Sequence, residues 1–468
     1  MTTGTSRPTL DLLGAFVTNA APPAIGVSRA ASAFLDTVGV TLAGAAEPVG
    51  RSLQRVIAAN GGAACTVLGT AVRASATDAA LANGTAAHAL DYDDMCFVSL
   101  AHPSAPLVSA LLAAGELVGA SGHALAEAYV VGFEIEARLG RTMNPRHYQR
   151  GWHCTSTLGT IGAAAAAARL LGLDESACEH ALAIAASEAS GLKENFGTMV
   201  KPLHAGLAAR NGILAAQLAR CGMTASAAAI EGPQGFLAAM DAEHASLAEY
   251  AADLGSRWEI VETGITVKLY PSCAGTHPTL DALLDLRRRE RFAAGDVESI
   301  DVGVDAIVPT ILIYDRPATG LEAKFSMPFC AAAAIVEGRV GIDTFDAAKL
   351  ADPGIAAMQS RVTMQVDPSL DSSAPALTQA RVTVRLKDGR VLTASANGAR
   401  GYPERPASSD ELGAKFLACA SRVLPEAKAR LALKMISELE SVADVRAVTA
   451  LFKLKRDASR GRVPASTP

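Results

Sequence analysis

GWHCTSTLGTIGAAAAAARLL, residues 151–171, runs from a tryptophan, an imidazole and a thiol through four hydroxyls into six consecutive alanines. Alanine is the strongest helix former, and Gly159 and Gly162 strip bulk from one face one turn apart. The stretch predicts a helix that other helices approach closely and bury on several sides. The whole chain has the same character. Half of its 468 residues are hydrophobic, only 4% are aromatic and 19% are charged, which favours close-packed helices over a β-sandwich. That length exceeds one ordinary core, so two or three domains are expected.

The formal net charge of -5 offers no basic face for nucleic acid, yet allows a local positive pocket for an anionic substrate. TIGAAAAAARLL is broken by Arg169 and too short to span a bilayer. The N-terminus MTTGTSRPTLDLLGAF lacks the features of a secretory or transit peptide. Eight scattered cysteines without a C-x-x-C pair suit reduced thiols, with no zinc or iron–sulfur pattern. The expectation is a cytoplasmic protein that binds neither membrane nor nucleic acid.

Working outward, RAASAFLDTVGVTLAGA sets Phe34, Leu35, Val38 and Leu42 on one helical face. DESACEHALAIAASEASGL opens with Asp174 as an N-cap. Near residue 265 the pattern changes. SIDVGVDAIV, RVTMQVD and ARVTVRLKDGRVLTAS alternate as strands, the last being a hairpin turning at Asp388–Gly389. FSMPFCAAAAIVEG and DTFDAAKLAD read as helices between them. From SSDELGAKFLACASRVL, with Ser408 or Ser409 as N-cap, the helical pattern returns. The fold class is therefore mostly α: residues 1–264 and 406–468 form an all-helical domain, and 265–405 a smaller α+β domain. DASRGRVPASTP is expected to be disordered.

Four stretches could carry chemistry. HALDYDDMCFVSLAHPSAP holds His88, Asp91, Asp93, Asp94 and His102, and Asp91 and Asp94 at i,i+3 could share one helical turn. An acidic helix end, a divalent-metal site and an acid–base cluster all fit it. In GWHCTSTLGT, Thr155, Ser156 and Thr157 can cap the following helix, an anion-binding end beside His153, with Trp152 as a shield. Cys154 reads as packing. NFGTMVKPLHAGLAARNG brings Lys201, His204 and Arg210 to one helix start, either solvated and packed or a carboxylate-binding patch. VKLYPSCAGTHPTLDAL places Lys268, Tyr270, Cys273 and His277 at the boundary between the two units, where pockets form. Lys268, between Val267 and Leu269, is either a snorkelling strand residue or a desolvated base. Tyr148 is a further candidate acid. No dinucleotide, P-loop, zincin or serine-hydrolase motif is present.

In this order, HALDYDD…HPS, GWHCTSTLG, NFGTMVKPLHAG…ARNG and KLYPSCAGTHPTLD resemble the MmgE/PrpD family, over about residues 8–455. That family includes 2-methylcitrate dehydratase, cis-aconitate decarboxylase and iminodisuccinate epimerase. The resemblance implies a large helical domain with a smaller α+β lid domain, a homodimer, and a site between the domains needing no metal or organic cofactor. It implies site positions Asp91, His102, His153, Lys201, Lys268 and Cys273. Each family reaction passes through a carbanion or enediolate beside a carboxylate of a small polycarboxylic acid. A base must act where positive groups stabilise the developing dianion.

The resemblance also implies a hydroxyl residue at Met95 and a histidine at Cys273 in the decarboxylase branch, and both departures count against decarboxylation. The reading is a dehydratase-type lyase, with Lys268 or His102 as base and His153 or Tyr148 as acid. Asp91 completes the catalytic group, while Lys201, His204, Arg210, Cys273 and His277 would bind substrate. An iminodisuccinate epimerase-like isomerase is the runner-up. A non-catalytic polycarboxylate-binding protein leaves unexplained so many titratable groups at helix starts.

Overall fold

The computed structural model describes residues 9–370 and 379–454, so DASRGRVPASTP lies outside the described residues. The helices that build the site are α1 (Ala24–Gly44), α2 (Ala76–His88), α3 (Ser104–Val118), α4 (Gly122–Met143), α5 (Cys154–Leu170), α6 (Glu175–Glu188) and α7 (Val200–Arg220). Later come α8 (His277–Glu290), α9 (Met327–Glu337) and α10 (Ser409–Ala420). The alanine-rich α5 is buried from Cys154 to Ala168 and packs against α3, α4, α6 and α7. Asp174 caps α6 by accepting the Ala177 N–H, as the sequence predicts.

Close approach is the organising device. A Cβ on Gly206 of α7 would lie 2.3 Å from the Leu81 carbonyl oxygen and 2.1 Å from Thr85 Oγ1 of α2. Backbone cannot yield as a flexible side chain does, so only glycine lets α7 sit this close to α2. That contact sets the C-terminal end of α2 beside the first turn of α7, and both ends carry site residues. Gly206→Ala should therefore destabilise the protein by about 1–3 kcal/mol through overpacking. An unchanged urea midpoint would remove this contact from the account.

Apart from a two-residue antiparallel pair inside the part expected to be all-helical (Cys65–Thr66 with Arg73–Ala74), the strands are β1 (Val297–Val304), β2 (Val362–Val366), β3 (Gln379–Leu386) and β4 (Val391–Asn397). They form one sheet in the order β2-β1-β3-β4. β1 pairs parallel with β2 (Ile300↔Val362) and antiparallel with β3 (Ile300↔Val384), and β3–β4 is the expected hairpin (Thr383↔Thr393). The parallel pair follows from the long crossover through α9, since parallel strands cannot be joined by a tight turn. α8 lies against β3 and β4. DTFDAAKLAD is not one helix: a 3-10 turn, Ile342–Phe345, and a short helix, Ala347–Leu350, are separated by the extended Asp346.

At α10 the chain returns to the helices. Ser408 and Glu411 exchange reciprocal hydrogen bonds as a capping box, and α10 packs against α1. Among the described residues no single helix is long and apolar enough to cross a membrane.

Candidate active site

The expected helical turn holding Asp91 and Asp94 does not form. α2 stops at His88, Asp91 takes a left-handed conformation (φ 50°), and the two carboxylates find different partners. Such backbone is costly for a non-glycine residue, and Leu100 (φ 49°), on the same cavity, shares it. Asp94 instead accepts hydrogen bonds from the Ser104 N–H and hydroxyl, and burial pushes its carboxyl up to about 8. Asp94 is thus a structural group. Behind the turn, buried Lys415 of α10 pairs with Asp36 of α1 at 2.6 Å and donates to the Tyr92 carbonyl at 2.7 Å.

Asp91 is the hub. Lys201 Nζ donates to its Oδ1 at 2.6 Å; Lys268 Nζ lies 3.2 Å from the same oxygen and donates to the Asp91 carbonyl at 3.0 Å. Burial opposes ionisation, but the two ammonium groups hold the Asp91 carboxyl well below the usual carboxylate range. Lys268 is completely buried, so the snorkelling alternative is excluded. Lys201 also sits 5.3 Å and 5.1 Å from the ring centroids of Phe196 and Phe325.

A histidine layer backs this hub. His88 Nδ1 lies 2.7 Å from Asp93 Oδ2, and burial pushes its pKa down to about 3, so the neutral ring donates from Nδ1. His102 Nδ1 is 3.4 Å from the same Asp93 oxygen, while its Nε2 faces Asp91 at 3.9 Å. Burial lowers the His102 pKa, with Asp93 opposing. His153 Nδ1 and His204 Nδ1 meet at 3.0 Å, and burial drives the His153 pKa well down and that of His204 to about 4. Two neutral rings in that geometry share one proton, one ring donating and the other accepting.

These groups surround a cavity of about 30 Å³ lined by Asp91, Met95, His102, Tyr148, His153 and Lys201, with Lys268 and Cys273 completing the polar wall. Three expected binding residues are not on it. Arg210 is nine residues from Lys201, and at about 100° per residue that is roughly 180° round the helix. Its charge instead faces Glu188. His204 stands behind His153 as its hydrogen-bond partner. His277 is held by the Ser272 carbonyl at 3.2 Å and packed edge-on against Tyr270, whose hydroxyl is occupied by Asp281.

The hydroxyls of α5 do not cap it either. Thr155 accepts the His102 N–H, Ser156 donates to the His204 carbonyl, and Thr157 bonds His147. They position histidines across helices. Trp152 stacks on His147 and does not line the cavity; Phe196, Ile311 and Phe325 supply its apolar wall. Only Phe196 had any sequence signal, inside NFGTM, since isolated apolar residues carry none. Cys154 is packed, as expected, with its thiol against Asn144.

Tyr148 and Cys273 remain protonated. Burial raises the Tyr148 pKa well above its ordinary value, and burial, then Asp91, pushes the Cys273 thiol up to about 11. Cys273 should therefore resist iodoacetamide at pH 7.5 while exposed Cys221 is alkylated. Peptide mapping that finds equal labelling would mean that Cys273 is an activated thiol.

His88, Asp91, Asp93 and His102 offer ligand atoms all within 4.8 Å of one another, a set chemically able to hold a divalent cation. Lys201 and Lys268 already bring two positive charges to the Asp91 carboxylate, and a metal ion there would meet their repulsion.

Residues 13–246 match the family model described as the MmgE/PrpD N-terminal domain, and residues 270–441 match that of the MmgE/PrpD C-terminal domain. The chain is similar to cis-aconitate decarboxylase of Homo sapiens, at 29% identity over 448 residues, 91% of this chain and 90% of that protein. It is similar to the protein of the same name from Mus musculus, at 28% identity over 91% of this chain and 89% of that protein. Cis-aconitate decarboxylase of Aspergillus terreus is 26% identical over 90% of this chain and 91% of that protein.

Proposed function

The chain belongs to the MmgE/PrpD family, and from that premise we propose that it is a lyase of the 2-methylcitrate dehydratase type. It acts on a small polycarboxylic acid through a carbanion next to a carboxylate, using no metal or organic cofactor. One observation carries this reading: two buried lysines converge on Asp91 in a cavity that also presents His102 and His153.

His102 is the base. With Nδ1 toward Asp93, its Nε2 lone pair faces the cavity, the orientation a carboxylate partner imposes on a catalytic imidazole. Lys201 and Lys268 stabilise the dianion formed as the C–H proton leaves. Lys268, with its ammonium against Asp91, serves this electrostatic part and not that of base. The His153–His204 pair takes up a proton when an anionic substrate arrives, because nearby negative charge favours imidazolium. His153 then protonates the departing hydroxyl.

The pH dependence follows. A base must be neutral, and burial lowers the His102 pKa, so protonation disables it only below its ordinary range. The acid limb of kcat/KM should fall below pH ~6.5. A midpoint at or above that value would exclude a buried histidine as the base.

A cavity of about 30 Å³ is far below the roughly 300–1,000 Å³ of ligand pockets, so substrate entry requires opening. Residues 265–405, which carry Lys268, Cys273, Ile311 and Phe325, form the lid. Its closed position is supported by Tyr314 donating to the Phe196 carbonyl at 3.0 Å and by the Phe196–Phe325 ring contact.

Decarboxylation is the second reading, favoured by the names of the similar proteins. There the C–C bond to a carboxylate breaks, its electron pair becomes the carbanion, and His153 protonates it. Met95 and Cys273 on the cavity wall, in place of the expected hydroxyl and histidine, weigh toward dehydration. Incubation in D₂O with a chelator and 2-methylcitrate, citrate, cis-aconitate or iminodisuccinate, followed by proton NMR, separates the readings. A new alkene from a hydroxy acid supports dehydration. Carbon dioxide release from cis-aconitate transfers the assignment to decarboxylation, and deuterium entering iminodisuccinate with only its stereoisomer formed transfers it to epimerisation. No reaction with any of the four overturns the substrate class.

A further inference from the structure

A groove of about 1200 Å³ that shares no residue with the catalytic cavity is lined by seven arginines, two aspartates and no lysine or glutamate. In a chain of net charge -5 seven arginines gather here, of which Arg339 pairs with Asp343 and Arg400 with Glu411. The end of α8 contributes Arg287, Arg288 and Arg289, followed by Arg291. Arg339 comes from the turn after α9, and Arg400 and Arg405 from the segment after β4.

The two aspartates are already engaged. Asp281 accepts from the Tyr270 hydroxyl and the Arg400 N–H, and Asp285 pairs with Arg288 and Arg289. Among the described residues, Arg287 and Arg291 have no carboxylate within ion-pair distance. Arg287 lies over Gly338, where a Cβ would come 1.8 Å from its guanidinium nitrogen.

The remaining wall identifies the occupant. Five consecutive residues, Thr393–Asn397, line the groove. A strand face would contribute alternate residues only, so it is the edge of β4, with its backbone, that faces in. β4 is the outer strand of its sheet, and no backbone hydrogen bond from Val391–Asn397 goes anywhere but β3 among the described residues. Thr393, Ala394, Ser395 and Ala396 are small, leaving width beside the arginines.

We propose that this groove docks an extended acidic polypeptide segment, which adds a strand to β4 and sets its carboxylates against the arginines. Backbone pairing supplies affinity in strand addition, and the side-chain environment selects sequence. Arginine suits carboxylate recognition because its planar fork bonds both oxygens. A small polyanion would use the arginines but not the strand edge.

The test uses the full chain and a fluorescein-labelled decapeptide of alternating glutamate and valine. Anisotropy should show binding that the lysine–valine counterpart does not reproduce. Hydrogen exchange should slow across residues 391–397 when the acidic peptide is present. Arg287→Glu with Arg291→Glu should weaken binding at least about tenfold, the milder pair Arg287→Gln with Arg291→Gln guarding against misfolding. Turnover should be unchanged, since neither residue lines the catalytic cavity. Absent binding, equal binding of the basic peptide, or binding without slowed exchange at 391–397 would overturn the proposal. So would exchange at 391–397 that is already slow because a second copy of the chain covers the edge.

Discussion

His102→Asn is expected to lower kcat/KM by about 10²–10⁴-fold, the usual contribution of a positioned general base. Asparagine keeps the ring's approximate size and a polar end, so the Thr155 bond to the backbone N–H of residue 102 survives and the fold should persist. What disappears is the lone pair facing Asp91 and the cavity. Exchange of the substrate C–H proton with solvent deuterium should vanish together with product formation. If product formation falls but exchange continues, His102 is the acid and the two histidines trade roles. If neither falls, the base lies elsewhere, with Lys268 the remaining candidate from the sequence.

Asp91→Asn should affect both stability and turnover. The carboxylate sits between two buried ammonium groups, and its removal leaves both without their counter-charge. Losing one partner of a buried ion pair destabilises by about 3–5 kcal/mol. The variant should unfold at a markedly lower temperature and turn over no substrate, because Lys201 and Lys268 are no longer held in place. It should also respond more strongly than the parent to a tricarboxylate such as tricarballylate. An anion that supplies the missing charge binds the folded state alone and raises its melting temperature. Equal thermal shifts in parent and variant would mean that the lysines do not face the substrate.

Motifs mark which lysines and histidines gather near the site but not what each does there. His102, His153, Lys201 and Lys268 each stood beside a proline, a glycine or an apolar run, and each lines the cavity. His204 and His277 had the same local appearance, yet one supports His153 and the other is fixed by Ser272 and Tyr270. Local sequence cannot separate these cases, because a buried imidazole satisfied by a carbonyl and one facing a cavity have the same neighbours in the chain. Arg210 could have been excluded by helical period alone.

Local sequence determined the mostly α class, the hairpin, the cap at Asp174 and a serine cap at 408 or 409, because each depends on residues within a few positions of one another; the structure chose Ser408. The alanines and glycines of 151–171 likewise declared close packing without saying against what. Only the tertiary structure decided that Asp91 takes both lysines while Asp94 takes Ser104, that the α5 hydroxyls orient histidines instead of capping, and that arginines from three segments share one groove. Those outcomes depend on contacts between residues from ten positions apart, such as Asp94 and Ser104, to more than a hundred, such as Asp91 and Lys201. Helix packing sets such distances, and they leave no periodic mark in the sequence.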